Sequence, residues 1–154
     1  MRRFVIRDLN LISTLCLMVA SNDPNQIGRA GEIVARKILE KLYPPPNYVV
    51  QDLNDFEECR FSKETESLSE DKMEDLITSF YVPDFIIESH LGEKIGVEVK
   101  TTKHEKIKIR GGAKKGLKYQ LEKSKESQEF NKLLILKICL GTLPYVKYSV
   151  KEIE

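Results

Sequence analysis

Apolar residues recur at helical spacing early in the chain and alternate at strand spacing through much of the remainder. Val5, Leu9, Ile12, Cys16 and Val19 fall at three- and four-residue steps, which predicts an N-terminal amphipathic helix within residues 1–21. Asp23-Pro24 then reads as an N-cap and first helical residue, with Gln26 three positions after the cap. Ala30, Ile33, Val34, Ile38 and Leu42 mark the buried stripe of that second helix, which runs to about Tyr43 and stops at Pro44-Pro45-Pro46. A strand begins at Tyr48-Val49-Val50-Gln51. Met73, Leu76, Ile77 and Phe80 return to helical spacing behind the capping-box sequence Ser67-Leu68-Ser69-Glu70. Residues 81–88 and 94–102 read as two strands, and the five residues 89–93, with Gly92, suit a hairpin connection. After a glycine loop at 111–116 come a basic helix over about 117–130, a buried strand over 132–140 and an edge strand over 145–150. The order helix, strand, strand, strand, helix, strand predicts an α/β domain, a mixed sheet flanked by helices.

Composition narrows the class. The 154 residues suit one domain (1–154), and 41% hydrophobic content is enough for one layered core. Cys16, Cys59 and Cys139 are odd in number and scattered, which argues against a disulfide framework or a zinc site and for a reducing cytoplasm. Met1-Arg2-Arg3 ahead of an apolar run superficially resembles a signal peptide. Arg7, Asp8 and Asn10 interrupt that run, so a helix is expected rather than export. No stretch approaches the roughly 18 apolar residues of a bilayer span, so no membrane association is expected.

A formal charge of +1 hides strong segregation. Residues 51–75 carry ten acidic and three basic side chains, a net of −7, and residues 52–80 read as a solvated acidic insertion with a short helix. Residues 99–125 carry ten basic and two acidic side chains, a net of +8. Such a run often only solvates a helix face. Here it begins at a group of candidate catalytic residues, which favours Lys103, Lys106, Lys108, Arg110, Lys114, Lys115 and Lys118 as contacts to nucleic-acid phosphates. Gly111 and Gly116 have Walker A spacing, but Leu117 and Lys118 stand where Lys and Ser/Thr are required, so no nucleotide cofactor is expected.

The chemistry concentrates in the two central strands. Pro83-Asp84 lies on the first, and Glu98-Val99-Lys100 on the second. Alternation puts Glu98 and Lys100 on one face with Val97 and Val99 on the other. If Asp84 faces the same way, two carboxylates and an ammonium share one small volume. Such a pair suits Mg²⁺, which takes hard oxygen ligands and keeps several waters. Lys100 would hold an attacking water or a scissile phosphate by its point charge rather than act as a general base. The bland alternatives are a turn-capping Asp84 and an exposed edge-strand face carrying Glu98 and Lys100. His90 and His104 lack metal-ligand spacing and receive no catalytic role.

This arrangement resembles the PD-(D/E)xK nuclease superfamily, in its restriction-endonuclease-like fold. Gly28-Arg29-Ala30-Gly31-Glu32 on the preceding helix and Ile95-Gly96-Val97-Glu98-Val99-Lys100-Thr101-Thr102-Lys103 look most like archaeal Holliday-junction-resolvase and Mrr-type members. The resemblance implies a mixed sheet of about four to five strands flanked by helices. It also implies a Mg²⁺-dependent DNA endonuclease, with Mn²⁺ able to substitute, structure-directed or Mrr-like, and acting as a homodimer. Asp84, Glu98, Lys100 and Glu32 would be catalytic, and the metal would be held by Asp84, Glu98, the Val99 carbonyl and Glu32. Gln120 is a possible accessory residue. Alone, a first-turn Glu such as Glu32 also favours the helix dipole without any metal. The competing readings are a nucleic-acid-binding module on a nuclease fold without cleavage activity, and a protein-interaction domain.

Overall fold

The structure, a computed structural model, describes residues 1–52, 83–104 and 130–153. The acidic segment from residue 53 to 82 with its expected helix, the glycine loop, and the expected basic helix up to residue 129 lie outside the described residues, as does Cys59. In chain order the elements are β1 (Arg2–Val5), α1 (Leu9–Ala20), α2 (Pro24–Leu42), β2 (Tyr48–Asp52), β3 (Phe85–Ser89), β4 (Lys94–Thr102), β5 (Lys132–Cys139) and β6 (Tyr145–Glu152). The strands form one mixed sheet in the order β1-β6-β5-β4-β3-β2. Only β4 and β5 run parallel; the other neighbours are antiparallel. The α/β class therefore holds, with six strands instead of four to five.

The additional strand comes from residues expected to be helical. Asp8, not an earlier residue, caps α1, its carboxylate accepting from the Asn10 and Leu11 amides at 3.0 and 3.2 Å. The residues before that cap extend along β6, with Arg2 opposite Tyr148 and Phe4 opposite Val146. A ladder with β6 satisfies backbone groups that a helical first turn leaves unpaired. Val5 thus belongs to a strand and not to the helix stripe. Within α1 the inward residues are Leu11, Ile12, Leu15, Met18 and Val19, while Leu9 and Cys16 point to solvent. Nine of its twelve residues are apolar, so spacing alone does not fix which stripe is buried.

Helix α2 starts as its cap predicts, Asp23 accepting from the Asn25 amide at 3.0 Å with Pro24 at the first turn. Its buried side is Ala30, Gly31, Val34, Ala35, Ile38 and Leu39, and Ile33 is exposed, contrary to expectation. The stripe turns by one residue because the small side chains of Ala30, Gly31 and Ala35 bring the helix close to the sheet. Both helices join one core with Phe85, Ile87, Val97, Leu136, Ile138, Val146 and Tyr148. The hairpin between β3 and β4 is tighter than expected. Ser89 is the last residue of β3, Gly92 adopts φ 87°, and the Gly92 amide donates to the Ser89 carbonyl at 3.0 Å. Among the described residues, no helix is long and apolar enough to cross a membrane.

Leu15 is fully buried whereas Leu17, two residues on, is 74% exposed. Leu15→Ala should cost about 2–5 kcal/mol in denaturant unfolding, and Leu17→Ala about 0.5 kcal/mol or less. Equal losses would mean that α1 is docked by a different face.

Candidate active site

The site begins just before β3 starts, at Asp84. Phe85 pairs with Val97, so continuing the antiparallel register by one residue sets Asp84 across from Glu98. Beyond that point the β4 edge on the β3 side is met by a side chain: the Val99 amide donates to Asp84 Oδ2 at 2.7 Å. The Thr102 carbonyl lies on the opposite edge, where it accepts from the Leu140 amide at 2.8 Å. The N–H and C=O of one strand residue share an edge, and the edge alternates along the strand. The Val99 carbonyl therefore looks toward the Asp84 side. It is the backbone oxygen that the resemblance to PD-(D/E)xK nucleases implies as a metal ligand.

Face alternation treats the side chains as expected. Val97 is buried in the core and Val99 packs against it, while Glu98 and Lys100 project from the other face. Glu98, at 9% exposure, is the buried charged residue among those described. Lys100 Nζ stands 3.5 Å from Glu98 Oε1, with 37% of the lysine side chain exposed. A carboxylate this buried carries a desolvation cost that a neighbouring cation offsets. Lys100 retains an accessible head that a second anion could meet.

Glu32 reaches the same region from α2. Together with Pro24, Ile27, Gly28, Asp84, Glu98 and residues 99–104 it lines an open cleft of about 490 Å³. A Cβ on Gly31 would collide with the Thr101 side chain, so α2 touches β4 directly through this glycine and delivers Glu32 beside the strand end. Glu32 and Glu98 line the same cleft. No three His, Cys, Asp or Glu side chains among the described residues gather into a metal-holding group. Asp84, Glu98 and the Val99 carbonyl are nevertheless hard oxygen donors on one strand end. That set fits Mg²⁺, which is held by one or two carboxylates with water in its remaining positions. Glu32 fits a place in the cleft wall from which it could orient such a water.

Among the expected nucleic-acid contacts, Lys103 lies at the mouth of the cleft and donates to Asn22 Oδ1 in the α1–α2 connection. Lys106, Lys108, Arg110, Lys114, Lys115, Lys118 and the accessory Gln120 lie outside the described residues. Sequence reasoning missed Gly31, Thr101 and Asn22. A glycine within an apolar stripe was the available signal for the first. Asn22 carries a positive φ of 57°, a conformation that Asn tolerates better than most residues. His104 also lines the cleft, with its amide held by Thr102 Oγ1 at 3.1 Å.

Compared with protein-family models, with curated proteins and with solved structures, the chain matches none of them.

The two glycines of α2 should respond oppositely to alanine. Gly31→Ala forces α2 away from Thr101 and should lower stability by about 1–3 kcal/mol. A Cβ on Gly28 meets nothing within 4 Å, and Gly28→Ala should raise stability by about 0.5–1 kcal/mol through helix propensity. Thermal and urea unfolding of both variants provide the check; a Gly31→Ala protein as stable as the parent would refute the close contact.

Proposed function

We propose that this chain is a Mg²⁺-dependent DNA endonuclease of the PD-(D/E)xK kind, structure-directed or Mrr-like, working as a homodimer inside the cell. The observation that carries the reading is the convergence of Asp84, Glu98 and Lys100 at the end of β4, with Glu32 in the wall of the same cleft. Phosphodiester hydrolysis needs an in-line water, relief of the charge that builds on the phosphorus centre, and stabilisation of the leaving oxygen. Bound at Asp84, Glu98 and the Val99 carbonyl, Mg²⁺ would supply Lewis acidity toward the phosphate oxygens; Mn²⁺ has the same ligand preferences.

The protein's own groups account for the remainder. Lys100 holds the scissile phosphate or the attacking water by its point charge, which a planar guanidinium would not reproduce. Glu98 keeps that ammonium in place. The Val99 amide fixes the Asp84 carboxylate at 2.7 Å, so its position does not depend on the metal. Glu32 orients water from the α2 side. Lys103 and the basic residues that follow it neutralise backbone phosphates away from the cut. Two copies address two strands, since one such site acts on one.

The test is cleavage of labelled four-way junction, flap, duplex and single-stranded DNA, with RNA alongside, in Mg²⁺, Mn²⁺ or EDTA. Asp84→Ala and Lys100→Ala should each slow cutting by about 10²–10³-fold, the size of losing one preorganised electrostatic contact. Glu32→Gln should cost about 10–100-fold, as outer-shell changes do. Cutting that survives EDTA or Asp84→Ala refutes the metal site. Tight, salt-sensitive binding with no cutting points to a nucleic-acid-binding module on this fold instead.

A further inference from the structure

The two glycines of α2 have different reasons to be glycine, and the chain itself explains one of them. Gly31 is required by Thr101, with which any Cβ would collide. Gly28 answers to no such neighbour: a Cβ there meets nothing within 4 Å among the described residues. Its backbone makes no such demand either. Gly28 sits inside α2, and among the described glycines positive φ occurs at Gly92 alone. A glycine inside a helix weakens that helix relative to alanine, so its presence calls for another reason. Pro24, Ile27, Gly28 and Glu32 follow one another at three- and four-residue steps, which makes them one stripe of α2. All four line the cleft. Gly28 is thus the bare point of that stripe, one turn before Glu32. A side chain there would lean back over the preceding turn, beside Pro24 and Ile27, and take up cleft space.

We propose that Gly28 is a clearance position for substrate: it leaves α2 bare so that one nucleic-acid strand packs a sugar against the helix while its phosphates meet Lys100 and Lys103. The chemistry of the cleft lining names that orientation. Pro24 and Ile27 offer carbon surface without charge, which suits a sugar ring and would penalise a desolvated phosphate. Lys100 and Lys103, in β4 and just after it, supply the cations for the phosphates. Close approach of a ligand to the backbone is one of the conditions that glycine meets and other residues do not. The inference rests on the nuclease reading for the identity of the substrate, but occupancy of the cleft is measured without cutting. Gly28 acts in positioning: it contributes space, and no group of its own, to the reaction.

The experiment uses the full chain and fills the space. Gly28→Ala and Gly28→Leu are compared with Asn25→Leu, exposed on the same helix but outside the cleft lining. In Mg²⁺ with labelled DNA, Gly28→Leu should slow cutting by about 10²-fold, the scale of a 1 Å misplacement. Gly28→Ala should fall between it and the parent, and Asn25→Leu should cut at the parental rate. Unfolding temperatures of both Gly28 variants should equal or exceed the parent's, which a glycine kept for packing would not allow. A second readout needs no catalysis and uses Ca²⁺, which takes the same oxygen ligands in looser geometry. In Gly28→Cys, saturating single-stranded DNA should slow thiol alkylation at position 28 by about tenfold, since thiol reactivity requires access. The exposed Cys16 in the same chain should react at its DNA-free rate. Unprotected alkylation at position 28 overturns the proposal, as does parental cutting by Gly28→Leu; wild-type cutting in either case keeps the nuclease. Protection at position 28 with no cutting in any metal keeps the strand against α2 and removes the nuclease. A chain that binds no DNA overturns both. Should Gly28→Leu lower the unfolding temperature, protection in Gly28→Cys decides.

Discussion

Everything at this site depends on β4 continuing past the start of β3. Up to Val97 the strand is paired on both sides; beyond it, β5 still holds one edge while Asp84 Oδ2 takes the Val99 amide on the other. A backbone donor that a neighbouring strand would have filled is satisfied by a carboxylate instead, and that requirement draws Asp84 to Glu98. An unpaired amide in a half-buried place costs about as much as a lost hydrogen bond. The local demand of the sheet and the geometry needed for chemistry are therefore met by the same contact.

The two-residue period of β4 then sorts the remaining groups. Val97 and Val99 anchor the strand to the core, and Glu98 and Lys100 are left to face outward as a pair. α2 contributes from the core side, and its approach is set by Gly31 against Thr101. Glu32 is thereby a long-range addition to a pair that the hairpin assembles by itself. The hairpin is local, closing through a four-residue connection with Gly92 at positive φ. α2 reaches the site through the shared core.

Much of this was legible in the residues. Asp23-Pro24 marked the start of α2, the alternation in β4 assigned its two faces, and Gly92 marked the turn, because each signal is local. The errors came where a local pattern fits more than one answer. Residues 2–5 read as helix from their own spacing because their strand identity depends on β6, 140 to 146 residues away. α1 is apolar on nearly all sides, so its buried stripe is chosen by what it packs on. The exposure of Ile33 follows from three small neighbours whose use is visible only against the sheet. For the candidate site, residue types and spacing suggest the Asp84, Glu98 and Lys100 grouping, but not the close approach of Gly31 to Thr101 that sets α2 beside it.

The alternation along β6 also acts as a safeguard on the fold. Val146, Tyr148 and Val150 point inward and Lys147, Ser149 and Lys151 outward. Sliding this strand by one residue against β5 would exchange the two sets at a stroke. Two ammonium groups would then enter an apolar interior, where an unpaired charge is far more costly than an exposed valine. The lysines thus proofread the pairing: among all the ways β6 could lie along its neighbours, their charge makes the misaligned ones prohibitive.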